Sequence, residues 1–187
     1  MFKHLLAEEF APYGVLSELQ LSQLEAHYDS IIRWNARLNL TRIRDLEDSI
    51  RFHYCESLFL ARFIPTGSYR IVDIGSGAGF PGIPVAILRP ECEVSLVESH
   101  QRKAVFLREC SRSLLNVRVI SQRAEEVRDT FDWLVARAVT PSDVLKLRLS
   151  NNVALLVGAN DALNLAGDTA PMPWGDRRVL FHVERAT

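Results

Sequence analysis

A glycine-rich turn that directly follows a short apolar run constrains the fold of this chain more than any other segment. The run 71–74 is β-branched apart from Asp73, and three glycines follow at alternate positions, Gly75, Gly77 and Gly79. Glycine lacks a Cβ and accepts positive φ, so the backbone can pass close to a ligand. The turn leads into a predicted helix, whose free N–H groups can bind polar or anionic ligand atoms. The pattern therefore predicts a nucleotide-type site rather than only a tight turn.

The glycine spacing separates two classes of nucleotide cofactor. It is G-x-G-x-G, whereas the dinucleotide fingerprint is G-x-G-x-x-G. The spacing favours S-adenosylmethionine over NAD, which makes a dehydrogenase the less favoured alternative.

Strand-like and helix-like segments alternate after residue 67. Strands are predicted at 70–74, 94–98, 117–121, 133–136, 153–157 and 179–183, and helices at 81–88, 99–115 and 141–149. Strands separated by helices imply a mostly parallel sheet covered on both faces. The predicted fold is α/β, a doubly wound Rossmann-like sheet formed by residues 67–187 as one compact unit. Ligands of such sheets bind beyond the carboxyl ends of the strands.

Residues 1–66 are predicted to form an N-terminal helical cap. The capping-box pattern of Ser22 and Glu25 predicts that a long helix begins at Ser22. A second helix is predicted from about Asp45 to just before Pro65, where a turn signal separates the cap from the sheet.

Composition places the chain among globular proteins outside membranes. Of its 187 residues, 48% are hydrophobic and 24% are charged, and no apolar run is long enough to cross a bilayer. The N-terminus is interrupted by acidic residues and does not read as a signal peptide. Three scattered cysteines favour reduced thiols in the cytosol, and zinc-ligand spacing is absent. We predict a cytoplasmic protein without a metal site, and nothing in the sequence indicates an obligate protein partner.

Arginine dominates the basic residues, since only three of the 22 are lysine. Arginine presents a planar fork that fits phosphates and guanine edges. Between residues 33 and 70, seven arginines outnumber four acidic residues, which allows a local positive face although the net charge is −1. A compositional bias of the genome gives the same excess, so both interpretations stay open.

Candidate ligand-binding residues follow the predicted second and third strands. Glu98 ends the second strand, where a carboxylate can accept hydrogen bonds from both ribose hydroxyls of NAD or S-adenosylmethionine. Arg123, Ala124 and Glu125 follow the third strand, where an adenine ring is expected. For Glu125 alone, a charge in the first turn of a helix is the alternative interpretation.

Three more candidates are an arginine beside the expected position of the transferable methyl group and two residues of the cap. Arg137 ends the predicted fourth strand, and the alternative is an arginine in a surface loop. His53, on the second cap helix, either meets the ligand pocket or only packs. Asn39 either lines the pocket or caps the end of a helix.

Together these segments resemble the RsmG (glucose-inhibited division protein B) family over roughly residues 20 to 141. The similar segments are 34–41, His53 with Ser57, 73–82, 97–99, 102–103, 106–107, 123–126 and 136–139. Members of this family are class I methyltransferases that use S-adenosylmethionine to methylate guanine N7 in the 530 loop of 16S ribosomal RNA. The resemblance implies that fold, that cofactor, and 16S rRNA within the small ribosomal subunit as the partner.

The resemblance also assigns site residues. It implies cofactor contacts for Gly75, Phe80, Ala124, Glu125 and Arg137, to which the residue patterns above add Asp73, Gly77, Gly79 and Glu98. It further implies that Asn39, His53, Arg123 and Arg137 line the cofactor and guanine side of the pocket.

Guanine N7 carries a lone pair and no proton, so its methylation needs alignment and exclusion of water rather than a general base. The catalytic residue is therefore unassigned, with Arg137 and His53 as candidates. No Asn/Asp-Pro-Pro-aromatic motif and no Pro-Cys pair follows the predicted fourth strand, which disfavours amino-group and cytosine-C5 methyltransferases.

The sequence departs from the resembled family after the predicted fourth strand. This part is shorter than is usual there, and residues 160–175 are predicted to be a loop. Two alternatives stay open: a non-catalytic relative that binds S-adenosylmethionine or rRNA, and a methyltransferase for a small molecule or protein. Only RNA binding predicts a steep salt dependence of affinity, because phosphate contacts release counterions.

Overall fold

A computed structural model describes residues 1–43, 45–175 and 177–184 of the chain. Arg44, one arginine of the predicted positive face, lies outside the described residues. The strands are β1 (Arg70–Ile74), β2 (Glu93–Val97), β3 (Val117–Ile120), β4 (Trp133–Arg137), β5 (Asn152–Gly158), β6 (Asp168–Pro171) and β7 (Arg178–Glu184). The helices are α1 (Phe2–Phe10), α2 (Glu18–Leu38), α3 (Leu46–Ser49), α4 (Glu56–Phe63), α5 (Gly82–Leu88), α6 (Gln101–Cys110), α7 (Pro141–Lys146) and α8 (Ala159–Ala162). A π-helical turn, Ile50–Cys55, joins α3 to α4, and Ala124–Glu126 forms a 3₁₀ turn.

All seven strands form one sheet, in the order β3-β2-β1-β4-β5-β7-β6. Strands β1 to β5 are parallel, whereas β7 runs antiparallel to both β5 and β6. The predicted α/β fold with a mostly parallel sheet is confirmed. The direction of winding reverses between β1 and β4, and ligands of open α/β sheets bind at such a point.

Each face of the sheet buries its own hydrophobic core. Along β1, Ile71 packs on one face, and Val72 and Ile74 pack on the other, as alternation along a strand requires. The cap helices cover the first face, where Leu24 and Leu58 belong to the same core cluster as Ile71. The core is therefore continuous from the cap into the sheet.

The long helix α2 begins earlier than its sequence predicts. Its capping box uses Ser17, whose Oγ accepts from the Gln20 N–H at 3.2 Å, while the Gln20 side chain accepts from the Ser17 N–H. The predicted start at Ser22 with Glu25 is wrong, because Ser22 lies inside the helix and donates to the Glu18 carbonyl. A second pattern of the same kind, five residues upstream, supplies the cap.

The segment 160–175, predicted to be a loop, contains the end of α8 and the whole of β6. The loop prediction is therefore wrong. The strand was missed because β6 is only four residues long, too short to show a clear alternating pattern. It pairs with β7 at the edge of the sheet and ends at Pro171. An edge strand tolerates proline, because one row of its N–H groups needs no partner in the sheet.

Candidate functional site

The glycine-rich turn lies over the carboxyl ends of β1 and β2. The N–H groups of Gly75 and Ser76 both donate to the Val97 carbonyl, at 3.0 and 3.1 Å. The N–H of Gly77 donates to Glu98 Oε2 at 3.0 Å. Gly77 has a φ of +55°, a left-handed conformation that glycine adopts without steric cost. The structure thus brings the predicted turn and Glu98 together.

The space above Gly77 and the remaining capacity of Glu98 fit an adenosine-type ligand. A Cβ on Gly77 would meet only the Gly75 carbonyl oxygen, at 3.7 Å, so a ligand can approach the backbone there. The two Glu98 oxygens accept from the Gly77 and His100 N–H groups, at 3.0 and 2.7 Å. Since a carboxylate offers about four acceptor positions, Glu98 keeps capacity for two ribose hydroxyls.

Asp73 supports the turn from below. The residue is fully buried, and its Oδ2 accepts from the Gly82 N–H at 3.0 Å. Burial raises the pKa of Asp73 to about 7, although the bond from Gly82 opposes the rise. Its position favours a role in shaping the turn, through which it acts on any ligand held there.

His53 joins the cap to the turn. Its ring stacks on Phe80, with centroids 4.6 Å apart, and its Nε2 lies 2.8 Å from Thr41 Oγ1. The Asn35 side chain makes two 3.0 Å hydrogen bonds to the Thr41 backbone. Asn39 instead ends α2 in a left-handed conformation and is exposed. Asn35, which the sequence analysis missed, therefore fixes the partner of His53.

A buried ion cluster joins α4, β4 and β7. Arg137 Nη2 lies 3.5 Å from Glu56 Oε2, and Arg178 Nε lies 3.2 Å from Glu56 Oε1. Glu56 is 2% exposed and Arg137 7%. Burial raises the pKa of Glu56, and the two arginines oppose this rise. Burial lowers the pKa of Arg137 to about 10, so this guanidinium stays charged at neutral pH.

Arg137 was predicted from the sequence as a site residue, whereas Glu56 and Arg178 were not. The one available signal for Glu56 was an acidic residue three positions after His53, in an apolar helix. Arg178 lies far along the chain, and no pattern links it to the cap.

Three buried polar atoms of this region lack a hydrogen-bond partner: His53 Nδ1, Glu56 Oε2 and Arg137 Nη1. Such atoms are uncommon, and each is costly unless something binds it. Glu56 and Arg137 form an ion pair, and His53 lies three positions before Glu56, so these atoms mark this region as a candidate ligand site.

Arg123, Ala124 and Glu125 lie at the same edge of the sheet, after β3. Arg123 and Glu125 are exposed, and Ala124 packs against the second core. The Glu98 N–H donates to the Ile120 carbonyl at 3.1 Å, which ties the end of β2 to that of β3. These residues stay predicted ligand contacts.

His27 is a second link between cap and turn that the sequence analysis missed. Its Nε2 donates to the Ala78 carbonyl at 2.8 Å, which leaves Nδ1 to accept from the Tyr54 hydroxyl at 3.1 Å. Burial lowers the pKa of His27 to about 4.

Acidification should destabilise the fold through these two histidines. Burial, assisted by Arg137 and Arg178, lowers the pKa of His53 to about 2. His27 and His53 thus stay neutral in the folded state at pH values where the unfolded chain, with pKa near 6.5, binds protons. The contribution of each histidine to the free energy of unfolding is complete above pH 6.5. It falls by about 1.4 kcal/mol per pH unit as the pH decreases below that value.

Asp73 opposes this trend, because its raised pKa makes the folded state bind a proton between about pH 7 and 4.

Urea denaturation of the wild type and of His53→Asn between pH 6 and 4.5 isolates one histidine. The slope of unfolding free energy against pH should be about 1.4 kcal/mol per pH unit smaller in the variant than in the wild type. Equal slopes would contradict the assignment.

Among the residues that the structure describes, no helix is long and apolar enough to span a bilayer, and no group of histidine, cysteine and acidic residues could hold a metal ion. Burial raises the pKa of the Cys110 thiol to about 12 and raises that of Cys55. These two thiols are therefore protonated and unreactive at neutral pH.

Sequence comparisons find relatives of this chain among proteins named as ribosomal RNA methyltransferases. A family model described as rRNA small subunit methyltransferase G matches residues 20–153. A Chloroflexus aggregans protein named ribosomal RNA small subunit methyltransferase G is 43% identical over 153 residues, 76% of this chain and 64% of that protein. A Streptococcus pneumoniae protein of the same name is 34% identical over 189 aligned positions, 88% of this chain and 78% of that protein. The chain thus spans less than two thirds of the Chloroflexus relative's length.

Solved structures share the fold at low sequence identity. The 23S rRNA methyltransferase ErmE has a TM-score of 0.58 at 12% identity, covering 71% of this chain and 68% of that one. M. capricolum TrmK, in complex with S-adenosylhomocysteine, has a TM-score of 0.55 at 11% identity, again covering 71% of this chain and 68% of that one. The fold is that of class I methyltransferases, as the sequence analysis predicts.

Proposed function

Because the chain belongs to the rRNA small subunit methyltransferase G family, we propose that it methylates guanine N7 in the 530 loop of 16S rRNA. The methyl donor is S-adenosylmethionine, and the substrate is the small ribosomal subunit in the cytoplasm. The observation that carries the proposal is the open glycine turn with Glu98, next to the buried cluster of His53, Glu56 and Arg137.

The residues of the turn fit the nucleoside part of the cofactor. Glu98 accepts from the ribose hydroxyls, and the backbone at Gly75 and Gly77 lies under the ligand. In this proposal Ala124 and Glu125, after β3, contact the adenine, and Phe80 and Arg137 contact the methionine end. When bound, the cofactor supplies an electrophilic methyl group on a sulfonium.

The chemistry needs orientation and charge balance rather than a base. N7 of guanine has no proton to lose, so the protein must align it with the methyl carbon and exclude water. His53 stays neutral because its pKa is about 2, so it adds no positive charge beside a sulfonium. Arg137 keeps one unpartnered nitrogen, Nη1, as a donor for a ligand oxygen.

The cap, residues 1–66, and the methyltransferase part, residues 67–187, act together in this proposal. His27 and His53 of the cap bond to or stack on the turn. A cap that moved away would expose both the turn and the ion cluster to water.

Two measurements on purified protein test the proposal. Calorimetry should detect binding of S-adenosylhomocysteine. Mass spectrometry of 16S rRNA should detect N7-methylguanosine in the 530 loop after incubation with small subunits from a strain lacking this modification. Cofactor binding without turnover would select a non-catalytic relative. Turnover on a small molecule or protein, with little dependence of substrate affinity on salt, would replace the RNA assignment.

A further inference from the structure

A surface groove of about 830 Å³ lies between α2 and α6. Its lining comes from residues 26–33 of α2 and from residues 109–113 at the end of α6. Trp34 holds the two helices side by side, because its ring lies 5.9 Å from that of Phe106 and its Nε1 donates to Glu109 Oε1 at 3.2 Å. The groove is therefore a fixed feature of the surface, with a lining distinct from that of the glycine turn.

Positive charge is in excess along this groove. Residues 29–38 and 101–112 carry six basic side chains and two acidic ones, although the net charge of the chain is −1. Both acidic residues line the groove, each one helical turn before an arginine, Arg33 or Arg112. Side chains at that spacing often form ion pairs, yet neither arginine forms one within the part of the chain that the structure describes. The two guanidinium groups are therefore available to an external anion.

Arg33 is held toward the groove by a side chain of the groove wall. Its Nη2 donates to Ser30 Oγ at 3.0 Å, and this buried hydroxyl donates in turn to the Ala26 carbonyl at 2.9 Å. The bond to Ser30 uses one of the five N–H donors of a guanidinium. The remaining donors can make the paired hydrogen bonds that a phosphate accepts.

The two helices run in opposite directions along the groove. Trp34, near the C-terminal end of α2, contacts Phe106 in the middle of α6, whereas residues 26–33 line the groove with residues 109–113. The C-terminal end of α2 therefore lies beside the N-terminal end of α6.

This end of the groove lies beside the candidate site. Helix α6 begins three positions after Glu98, and α2 ends shortly before Thr41, whose hydroxyl bonds to His53. Arg37 and Arg102 lie here, in the last turn of α2 and the first turn of α6, and both are exposed. Neither forms an ion pair with another described residue. Unpaired arginines thus extend from the candidate site to the far end of the groove.

We propose that this arginine groove binds the sugar-phosphate backbone of the RNA substrate on one side of the target guanine. The inference rests on the proposed function and names the RNA contact surface of the same reaction. Residues 26–37 of α2 span about 16 Å, a length that accommodates more than one phosphate. Arginine suits this role because its planar fork matches a phosphate. The arginines concerned are Arg33, Arg37, Arg102 and Arg112.

The positive face predicted from residues 33–70 is only partly present in the arginine groove. Arg33 and Arg37 belong to it, whereas Arg51 and Arg70 pair with carboxylates. The rest of its charge comes from α6, which lies outside the segment in which the sequence shows an excess of arginine.

Binding of the full chain to unmodified small ribosomal subunits at several salt concentrations tests the arginine groove. The groove variant Arg33→Gln/Arg112→Gln should bind at least about tenfold more weakly than the wild type at low salt. The slope of log affinity against log salt should decrease by about 2, and by about 1 for Arg112→Gln alone, which leaves the bond to Ser30 intact. Filter binding measures both. Calorimetry should show unchanged binding of S-adenosylhomocysteine.

The matched control is Arg62→Gln/Arg148→Gln, which removes the same net charge. Both arginines are exposed and form no ion pair with a described residue. They lie shortly before β1 and β5, toward the amino ends of the strands and away from the candidate site. The control should keep the affinity and the salt slope of the wild type. Urea denaturation verifies that both double variants fold, which exposed substitutions should allow.

The outcomes separate the arginine groove from the proposed function. Equal binding by the wild type and the groove variant, or an equal loss in the control, overturns the arginine groove. The proposed function survives either result if the wild type still methylates small subunits. A loss seen with small subunits but not with protein-free 16S rRNA indicates an acidic ribosomal protein as the partner and overturns the RNA contact. If the wild type transfers no methyl group but binds RNA through these arginines, the proposed function fails and the arginine groove stands.

Discussion

Replacing Arg137 with alanine should lower methyl transfer to small subunits by about 100-fold or more while the protein stays folded. The variant removes a buried, charged donor at the end of β4, together with its unpartnered Nη1. Folding should persist because Glu56 keeps its bond to Arg178, at 3.2 Å, and is not left as an unpaired buried charge. Single-turnover methylation with radiolabelled S-adenosylmethionine measures the loss.

Arg137→Lys serves as the control for charge. Lysine keeps a cation near Glu56 but lacks the planar fork, so we expect an activity between those of the wild type and Arg137→Ala. A folded Arg137→Ala protein that retains more than about a tenth of the wild-type rate would exclude Arg137 from the reacting site.

Replacing Gly82 with alanine should destabilise the protein by about 2–3 kcal/mol. A Cβ at this position would lie 2.3 Å from Leu96 Cδ2, 2.6 Å from Asp73 Oδ2 and 2.9 Å from Asp73 Cβ. Both neighbours are fully buried, so neither can move without disturbing the core or the bond that holds the turn. Urea denaturation measures the change in unfolding free energy.

Gly77→Ala provides the comparison. Its Cβ would meet only a carbonyl oxygen at 3.7 Å, so the cost in stability is that of a left-handed alanine, about 1 kcal/mol. Its methyl group would instead occupy the open space above the turn and weaken S-adenosylhomocysteine binding. If Gly82→Ala unfolds at the same urea concentration as the wild type, the turn is not as tightly packed as described.

The sequence was informative where one local pattern determines the structure. The strand β1 matches its prediction at both ends, and α3 begins directly after Asp45, close to the predicted start, because β-branched runs and capping side chains act over a few residues. Arg137 was identifiable because it ends an apolar strand. These features depend on neighbours in the chain.

The unpredicted parts depend on partners that are distant in the chain. Glu56 bonds to residues of β4 and β7, and His27 bonds to the Ala78 carbonyl 51 positions away. Neither contact follows from periodicity. Asn35 was overlooked because its role is indirect. It holds the backbone of Thr41, whose hydroxyl bonds to the ring of His53.

Glu56 has a consequence for how the protein matures during its own synthesis. Arg178 opens β7, which pairs between β5 and β6 and follows every other described element in the chain. While β7 is still inside the translating ribosome, the carboxylate has one of its two cations and β5 has an open edge. The nascent protein therefore completes its ion cluster only after β7 has emerged from the ribosome.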